Sequence, residues 1–377
     1  MNRRNVFACL ASALPWAGAF GAEPAQTGDI VVGQIGPFTV LPAPDPKELN
    51  EGFKACFREL NARGGINGRK VSLFELDDAY SFEGFRKQLP VALARKPVAL
   101  LSPVGSATLK GVLDARLLDD ANIVIINAVP GAEVLRSPGH PKLFHIRAGD
   151  QQQIHKIVEH AKTLTIKSMG VLYQNIPIGT SGFAAAQEAA AELGDIRITG
   201  FKSTSEAGAI AEAAKAMAQA NVQSGLVVGP PKFMGDGVAA LRRAGVSQQL
   251  FTLSYIPGPA LLKAAGEGAR GVGIAQTFPN PMGSVLPLQR EFRSAMKKAF
   301  PAMTSYTTFH MEGYVTARVF VEAASRAKRM TPEGIAQALR DMGELDLGGF
   351  RVNFSKSNIG SNFVDIGVVL ADGKLMY

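Results

Sequence analysis

From Asp29 onward the chain alternates short β-branched apolar runs with amphipathic helical stretches, and this alternation restricts its fold more than any other feature. Strand candidates fall at residues 30–35, 70–76, 98–102, 123–127, 168–173, 196–201, 225–228, 250–254 and 271–275. Several are nearly continuous apolar runs (VALLS, IVIIN, GLVV), the pattern of strands covered on both faces of a parallel sheet. In the first intervening helix Leu49, Phe53, Cys56, Phe57 and Leu60 recur at helical spacing, and Gly64-Gly65 ends it. Cys56 therefore reads as a core residue. A βα unit repeated this often implies an α/β fold with parallel sheets.

The pattern also restarts. After Phe144-His145-Ile146-Arg147 comes a polar break, Ala148-Gly149-Asp150-Gln151-Gln152-Gln153, and then a second βα series. The segment Gln276-Thr277-Phe278-Pro279-Asn280-Pro281 is a Pro-rich crossover candidate, followed by helical stretches near 287–300, 305–328 and 332–342. Strand-like runs follow at 350–354 and 363–370, with Asp372-Gly373 as a hairpin turn before the last four residues. A length of 377 residues allows two domains at about 150 residues each. This order fits two α/β lobes with several crossings between them better than two independent beads.

The N-terminus addresses the compartment. A basic start, Met1-Asn2-Arg3-Arg4-Asn5, precedes a run from Val6 to Phe20 that is apolar apart from Ser12, and Ala19, Gly21 and Ala22 offer small residues for cleavage. That is the order of a secretory signal peptide, expected to be removed near residue 22. A membrane anchor needs about 20 apolar residues, and Pro15 interrupts this shorter run. Arg3-Arg4 leaves twin-arginine and general export both open, and Cys9 lies too early for a lipoprotein cleavage site. Losing Arg3 and Arg4 takes the formal charge from +8 to +6, an excess suited to solubility and to anionic ligands. No Lys/Arg-rich run with interleaved aromatics points to nucleic acid. Only Cys56 remains after cleavage, so no internal disulfide can form, and no later stretch is apolar enough to span a membrane.

The chemistry of an exported enzyme is hard to assemble from this chain. Gly179-Thr180-Ser181-Gly182-Phe183 lacks the spacing of a nucleophile elbow, and neither phosphate-loop nor dinucleotide fingerprints occur. His140, His145, His155, His160 and His310 form no metal-ligating motif, so neither metal nor cofactor is expected. Asp77-Asp78 reads as strand-end acids capping turns rather than as a catalytic pair.

Strand-to-helix turns suited to holding a small polar group are present instead. Leu100 to Thr108 leaves a buried strand and enters a helix, where Ser106 and first-turn amides favour a carboxylate, unless Ser106 merely caps the helix. The next strand ends in Asn127-Ala128-Val129-Pro130-Gly131, beside the first turn. Open α/β sheets bind ligands at the carboxyl ends of their strands.

Here a family resemblance enters. Val32-Gly33-Gln34-Ile35-Gly36-Pro37, then Asn50-Glu51-Gly52-Phe53, then Glu59-Leu60-Asn61-Ala62-Arg63-Gly64-Gly65-Ile66-Asn67-Gly68-Arg69-Lys70 resemble the opening of the type I periplasmic binding proteins, the branched-chain amino acid group in particular. Asp77-Asp78-Ala79, Ser102 to Ser106, Val171-Leu172-Tyr173 with Gly179, and Leu241-Arg242-Arg243-Ala244-Gly245 continue the match in order. The resemblance implies two Rossmann-like lobes, each a parallel sheet flanked by helices, joined by three crossover strands. One lobe is expected at 29–147 plus 279–355, the other at 148–278 plus 362–377, with the ligand cleft between them. It further implies a periplasmic, monomeric, non-enzymatic protein that closes on a small-molecule ligand and hands it to an inner-membrane ABC permease. A periplasmic sensor using the same clamp is the alternative, and an exported enzyme is a weaker one.

By position the resemblance implies Ser106 as carboxylate donor, Ala128 and Val129 as main-chain ligands, and Ile178, Pro230 and Tyr255 from the second lobe, with Ile178 where the family often has a wall aromatic; Phe38 is a further ligand-binding candidate. Amino-acid binders of the family place an acid near Tyr255 and a Thr in the Ala128–Gly131 turn to hold the α-ammonium; this chain has neither. A buried ammonium without a carboxylate costs several kcal/mol. A small organic acid or amide with an apolar or aromatic body therefore fits better than a standard α-amino acid, with an amino-acid-like solute as the other reading, unless Glu133 or Glu206 reaches the cleft.

Overall fold

The computed structural model describes residues 28–40 and 46–377, so the export signal read at residues 1–22 lies outside the described residues. The first sheet comprises β1 (Ile30–Gly36), β2 (Val71–Asp77), β3 (Ala99–Leu101), β4 (Ile125–Ile126) and β5 (Leu143–Phe144), all parallel, in the order β2-β1-β3-β4-β5. Helices α1 (Pro46–Ala62), α2 (Phe82–Ala94), α3 (Ser106–Asp114) and the one-turn α4 (Leu117–Asp120) connect these strands. The second βα series runs α5 (Asp150–Thr163), β6 (Ser168–Gln174), α6 (Pro177–Leu193), β7 (Arg197–Ser203), α7 (Ala207–Gln219), β8 (Ser224–Val228), α8 (Pro231–Arg243), β9 (Gln249–Thr252), α9 (Gly258–Ala265) and β10 (Gly273–Gln276). Then come α10 (Pro287–Ala299), α11 (Thr308–Arg326), α12 (Pro332–Asp341), the hairpin β11 (Glu344–Asp346) and β12 (Arg351–Asn353), and finally β13 (Asp365–Val369) and β14 (Leu375–Met376).

The second sheet has the order β14-β13-β10-β9-β8-β6-β7. Its β6–β10 pairings are parallel, whereas β13 and β14 add an antiparallel edge through the turn at Asp372-Gly373. The apolar runs behave as their composition requires: β3 and β8 are buried throughout because helices cover both faces. The run 123–127 pairs only at Ile125 and Ile126, because Asn127 turns into a left-handed conformation (φ 63°) that ends the ladder. Beyond it, the two-residue β5 had too little sequence to show any period.

One core joins residues on both sides of the second series, packing Ile30, Phe53 and Phe144 with Phe292, Phe320 and Phe350. Another packs Met169, Leu226 and Phe251 with Ile366 and Val369. The chain therefore passes between the two lobes three times: from β5 to α5, from β10 to α10, and from β12 to β13. In the first core α1 and α11 cross almost backbone to backbone. A methyl group added at Gly52 would lie 2.3 Å from the His310 carbonyl oxygen, and one at Gly313 2.1 Å from that of Leu49. Cys56 is buried on α1, and burial pushes its thiol up to about 12, which leaves it inert at neutral pH.

The first crossing carries a fully buried charge. Arg147 is 0% exposed and pairs with Glu312 of α11, itself 0% exposed, while its Nη2 donates to Ser254 Oγ at 2.7 Å, just beyond β9. Asn127 Oδ1 accepts from the Ile146 and Arg147 amides at 3.2 and 3.0 Å, and its Nδ2 donates to Glu312 Oε1 and Thr316 Oγ1, both at 3.0 Å. Gln153 Oε1 receives the Ser254 amide and hydroxyl at 3.0 and 2.7 Å. Both lobes thus bond to the same short segment. Removing one member of a buried ion pair strands the other, at about 3–5 kcal/mol. Arg147→Met and Glu312→Leu should each lower urea-unfolding stability by that amount, and the double variant by less than either. Single-variant losses under about 1 kcal/mol, the range of an exposed pair, would show that this pair does not hold the crossing.

Candidate functional site

Strand order puts the expected residues into two sets. Phe38, Ser106 and the Ala128-Val129 pair follow the neighbouring strands β1, β3 and β4 of the first sheet, at their carboxyl ends. Ile178, Pro230 and Tyr255 follow β6, β8 and β9, which are neighbours in the second. The turns of the first set are conformationally tight. Ser102 (φ 43°) after β3, Asn127 (φ 63°) after β4, and Ala79 (φ 48°) and Tyr80 (φ 55°) after β2 all occupy the left-handed region that non-glycine residues enter rarely. Such strain persists only where surrounding contacts dictate it. At Ser102 and Asn127 the Asn127 side chain supplies them, reaching Ser102 Oγ at 3.4 Å in addition to Glu312 and Thr316, and at Tyr80 Asp78 Oδ1 accepts the amide.

Ser106 opens α3 as its first residue rather than capping it. The cap position belongs to Gly105 (φ 104°), and no side chain caps this helix. The first-turn N–H groups of Ser106, Ala107 and Thr108 have no partner within the helix, and the macrodipole adds partial positive charge beside the partly exposed serine. Tyr80 borders this turn, its Cε2 3.0 Å from where a Cβ on Gly105 would stand, and it is 46% exposed. Sequence reasoning stopped at Asp77-Asp78-Ala79 and missed this aromatic one residue later.

The Ala128-Val129 turn is already sewn into its lobe. The Ala128 amide donates to the Phe144 carbonyl at 3.3 Å and the Val129 amide to Pro103 at 3.1 Å, so neither N–H is free for a ligand. At the end of this turn the two sets meet: the Gly131 amide donates to Tyr255 Oη at 2.8 Å, and Tyr255 in turn donates to Asp150 Oδ1. The Asp150 amide returns to the Gly131 carbonyl at 2.9 Å. Tyr255 is only 6% exposed, so the hydroxyl expected to face a ligand is engaged between the lobes. Burial pushes its phenol up, reinforced by the Asp150 charge. Burial likewise raises the Asp150 carboxyl, against the Tyr255 bond and the charges of Arg136 and Arg147. Arg147 lies under the Tyr255 ring at 5.1 Å and near Phe309 at 5.7 Å.

Arg136 is also buried. Its Nη2 donates to the Arg147 carbonyl at 2.7 Å, whereas its Nε and Nη1, and Arg147 Nε, have no partner among the described residues. Glu133 is half-buried with Oε1 beside Gly149, and the Gln151 amide and Arg136 offset the burial that raises its carboxyl. Glu206 is exposed at the start of α7. Ile178 is half-buried against the second core at the start of α6, Pro230 precedes α8, and Phe38 is half-buried after β1. Asn127, Arg136, Arg147, Asp150 and Glu312 were all missed. They sit at element ends or on a core helix, where no spacing rule marks them.

Asp77 and Asp78 hold turns. Asp77 accepts from the Thr39 amide and hydroxyl at 3.2 and 2.7 Å, and Asp78 Oδ1 from the Tyr80 amide at 2.9 Å. Asp78 Oδ2 is buried without a partner among the described residues, and burial pushes this carboxyl from 3.8 to about 6. The folded state thus binds the proton more tightly, so the stability linked to this group is lost as pH rises from about 4 through about 6. Asp78→Asn should therefore raise the Tm over the parent by a few degrees, on the order of 2–4 °C, at pH 8 and by nothing at pH 4. Equal shifts at both values in a thermal scan would remove Asp78 as the titrating group.

Known proteins resemble this chain along nearly its whole length. The family described as periplasmic binding protein matches residues 29–364. A solved extracellular ligand-binding receptor from Verminephrobacter eiseniae ef01-2 superposes with a TM-score of 0.88 at 50% identity, covering 93% of this chain and 100% of that one. A substrate-binding periplasmic protein from Ralstonia solanacearum gives a TM-score of 0.82 at 30% identity over 92% of this chain and 99% of that one. The Leu/Ile/Val-binding protein homolog 7 of Brucella abortus is 22% identical over 94% of this chain and 92% of its own. All three are described as binding proteins or receptors rather than enzymes. With its two α/β lobes and their three connections, the chain belongs to the periplasmic binding protein family, in the type I group that includes the branched-chain amino acid binders.

Proposed function

We propose that this protein is the periplasmic substrate-binding component of an ABC importer, which captures a small carboxylate-bearing or polar solute by closing its lobes. The lobes are residues 29–147 with 279–355 and residues 148–278 with 362–377, and the cleft between them takes the ligand. The signal sequence at residues 1–22 directs export, and the monomer presents its closed, liganded form to an inner-membrane permease. No described helix is long and apolar enough to cross a membrane, which suits a component that delivers to a separate permease.

The uncapped first turn of α3 carries this reading. Ser106 and its neighbouring amides form a preorganised anion site at the carboxyl end of a buried strand. Tyr80 flanks that turn with apolar surface, and Phe38 follows the neighbouring strand β1, which suits a carboxylate on an apolar body. The Brucella abortus relative is named for amino acids of that chemistry.

The exported, purified protein should be screened by thermal shift against amino acids, aliphatic acids, aromatic acids and amides. A ligand at 100-fold its Kd stabilises by about 2.7 kcal/mol, a Tm rise of roughly 2–4 °C. Ser106→Ala should weaken the best ligand about tenfold. Absence of any shift across all four classes, together with an unchanged radius of gyration in solution scattering, would sink the proposal.

A further inference from the structure

We infer that Gly131, Tyr255 and Asp150 form a latch between the lobes, holding them against a second arrangement in which the turn after β4 lifts away from α5. The inference goes beyond solute capture: it moves Tyr255 from ligand contact to control of the lobe arrangement.

Gly131 belongs to the first lobe, yet both of its main-chain groups are committed to the second. Its amide donates to Tyr255 Oη at 2.8 Å, and its carbonyl accepts the Asp150 amide at 2.9 Å. The Tyr255 hydroxyl donates onward to Asp150 Oδ1, and all three residues are buried. The approach leaves no room for a side chain. A Cβ at Gly131 would stand 2.4 Å from Asp150 Oδ1 and 2.7 Å from Tyr255 Oη. Two residues further on, Glu133 receives the Gln151 amide. One first-lobe turn therefore takes the first two amides of α5.

These bonds reward approach, whereas the groups beside them reward separation. Glu133 Oε1, Gln152 Oε1 and Arg136 Nε crowd the point where a Gly149 Cβ would stand, at 2.8, 2.6 and 3.1 Å. None of the three atoms has a hydrogen-bond partner among the described residues. A buried polar atom left unpaired carries a desolvation cost that water relieves once the site opens. The turn thus has a hydrated alternative. The Tyr255 hydroxyl, bonded to both Gly131 and Asp150, weighs against it and sets the population of each arrangement.

Hydrogen exchange in the solute-free protein reads this latch. In the parent protein the amides of Gly131, Asp150 and Gln151 should share one protection factor, set by a single opening. That factor should be smaller than those of Leu226 and Val227 in the core strand β8. Tyr255→Phe removes only the hydroxyl and leaves the acceptors of the Asp150 and Gln151 amides in place. Both amides should nevertheless exchange on the order of tenfold faster, because the turn lifts more often. Gly131→Ala, which wedges the contact with Tyr255 intact, should do the same. If Tyr255→Phe speeds exchange at Gly131 alone, the hydroxyl fills a local role and the inference is overturned. Three unrelated protection factors in the parent, or three as large as those of β8, overturn it as well. Should neither variant fold, the parent measurement decides by itself. None of these outcomes bears on solute capture, which the thermal-shift screen tests separately.

Discussion

A guanidinium cannot shed its charge, so burying one commits everything around it. Arg147 lies on the first passage between the lobes with no exposed surface. Its requirements draw together Glu312 from a helix of one core, Ser254 from a strand end of the other, and the rings of Tyr255 and Phe309. Asn127 then serves two masters, accepting the amides of the crossing segment while donating to Glu312. Its left-handed backbone follows from that double engagement, and the turn carrying Ala128, Val129 and Gly131 starts from it. The conformation of that turn is thus tied to how one buried cation is satisfied.

The two ends of the cleft differ in physical character. At Ser106 the groups are loose: a partly exposed hydroxyl, a helix turn with no side-chain cap and a half-exposed tyrosine. At Tyr255 the groups are committed to one another through Gly131 and Asp150. A polar network with its members engaged resists disturbance, whereas loose groups can rearrange.

The architecture was legible because it is written in periodicity. Buried strands such as Gly225-Leu226-Val227-Val228 and helices such as the Leu49–Leu60 stretch show their periods directly, and the Asp372-Gly373 pair marks its hairpin. The restart after Arg147 likewise announced a second lobe. Short pieces escaped: β5 and β11 are two and three residues long, below the length at which alternation can be read. The expected site residues fall at the ends of adjacent strands, since position in a βα unit locates a turn. What no turn reveals is which groups have already been used by the protein. The amides of Ala128 and Val129, and the hydroxyl of Tyr255, are consumed by partners such as Phe144, Pro103 and Asp150. Asp150 and Glu312 lie 105 and 165 positions from the residues they bond.

The chain's last strands complete the lobe that begins with α5. β13 pairs with β10, and β14 pairs with β13, so the second sheet lacks its edge until residues 365–376 exist. The first core likewise waits for α10, α11 and the segment around Phe350. Both lobes are therefore completed by closures of long sequence separation, which are intrinsically slow to form.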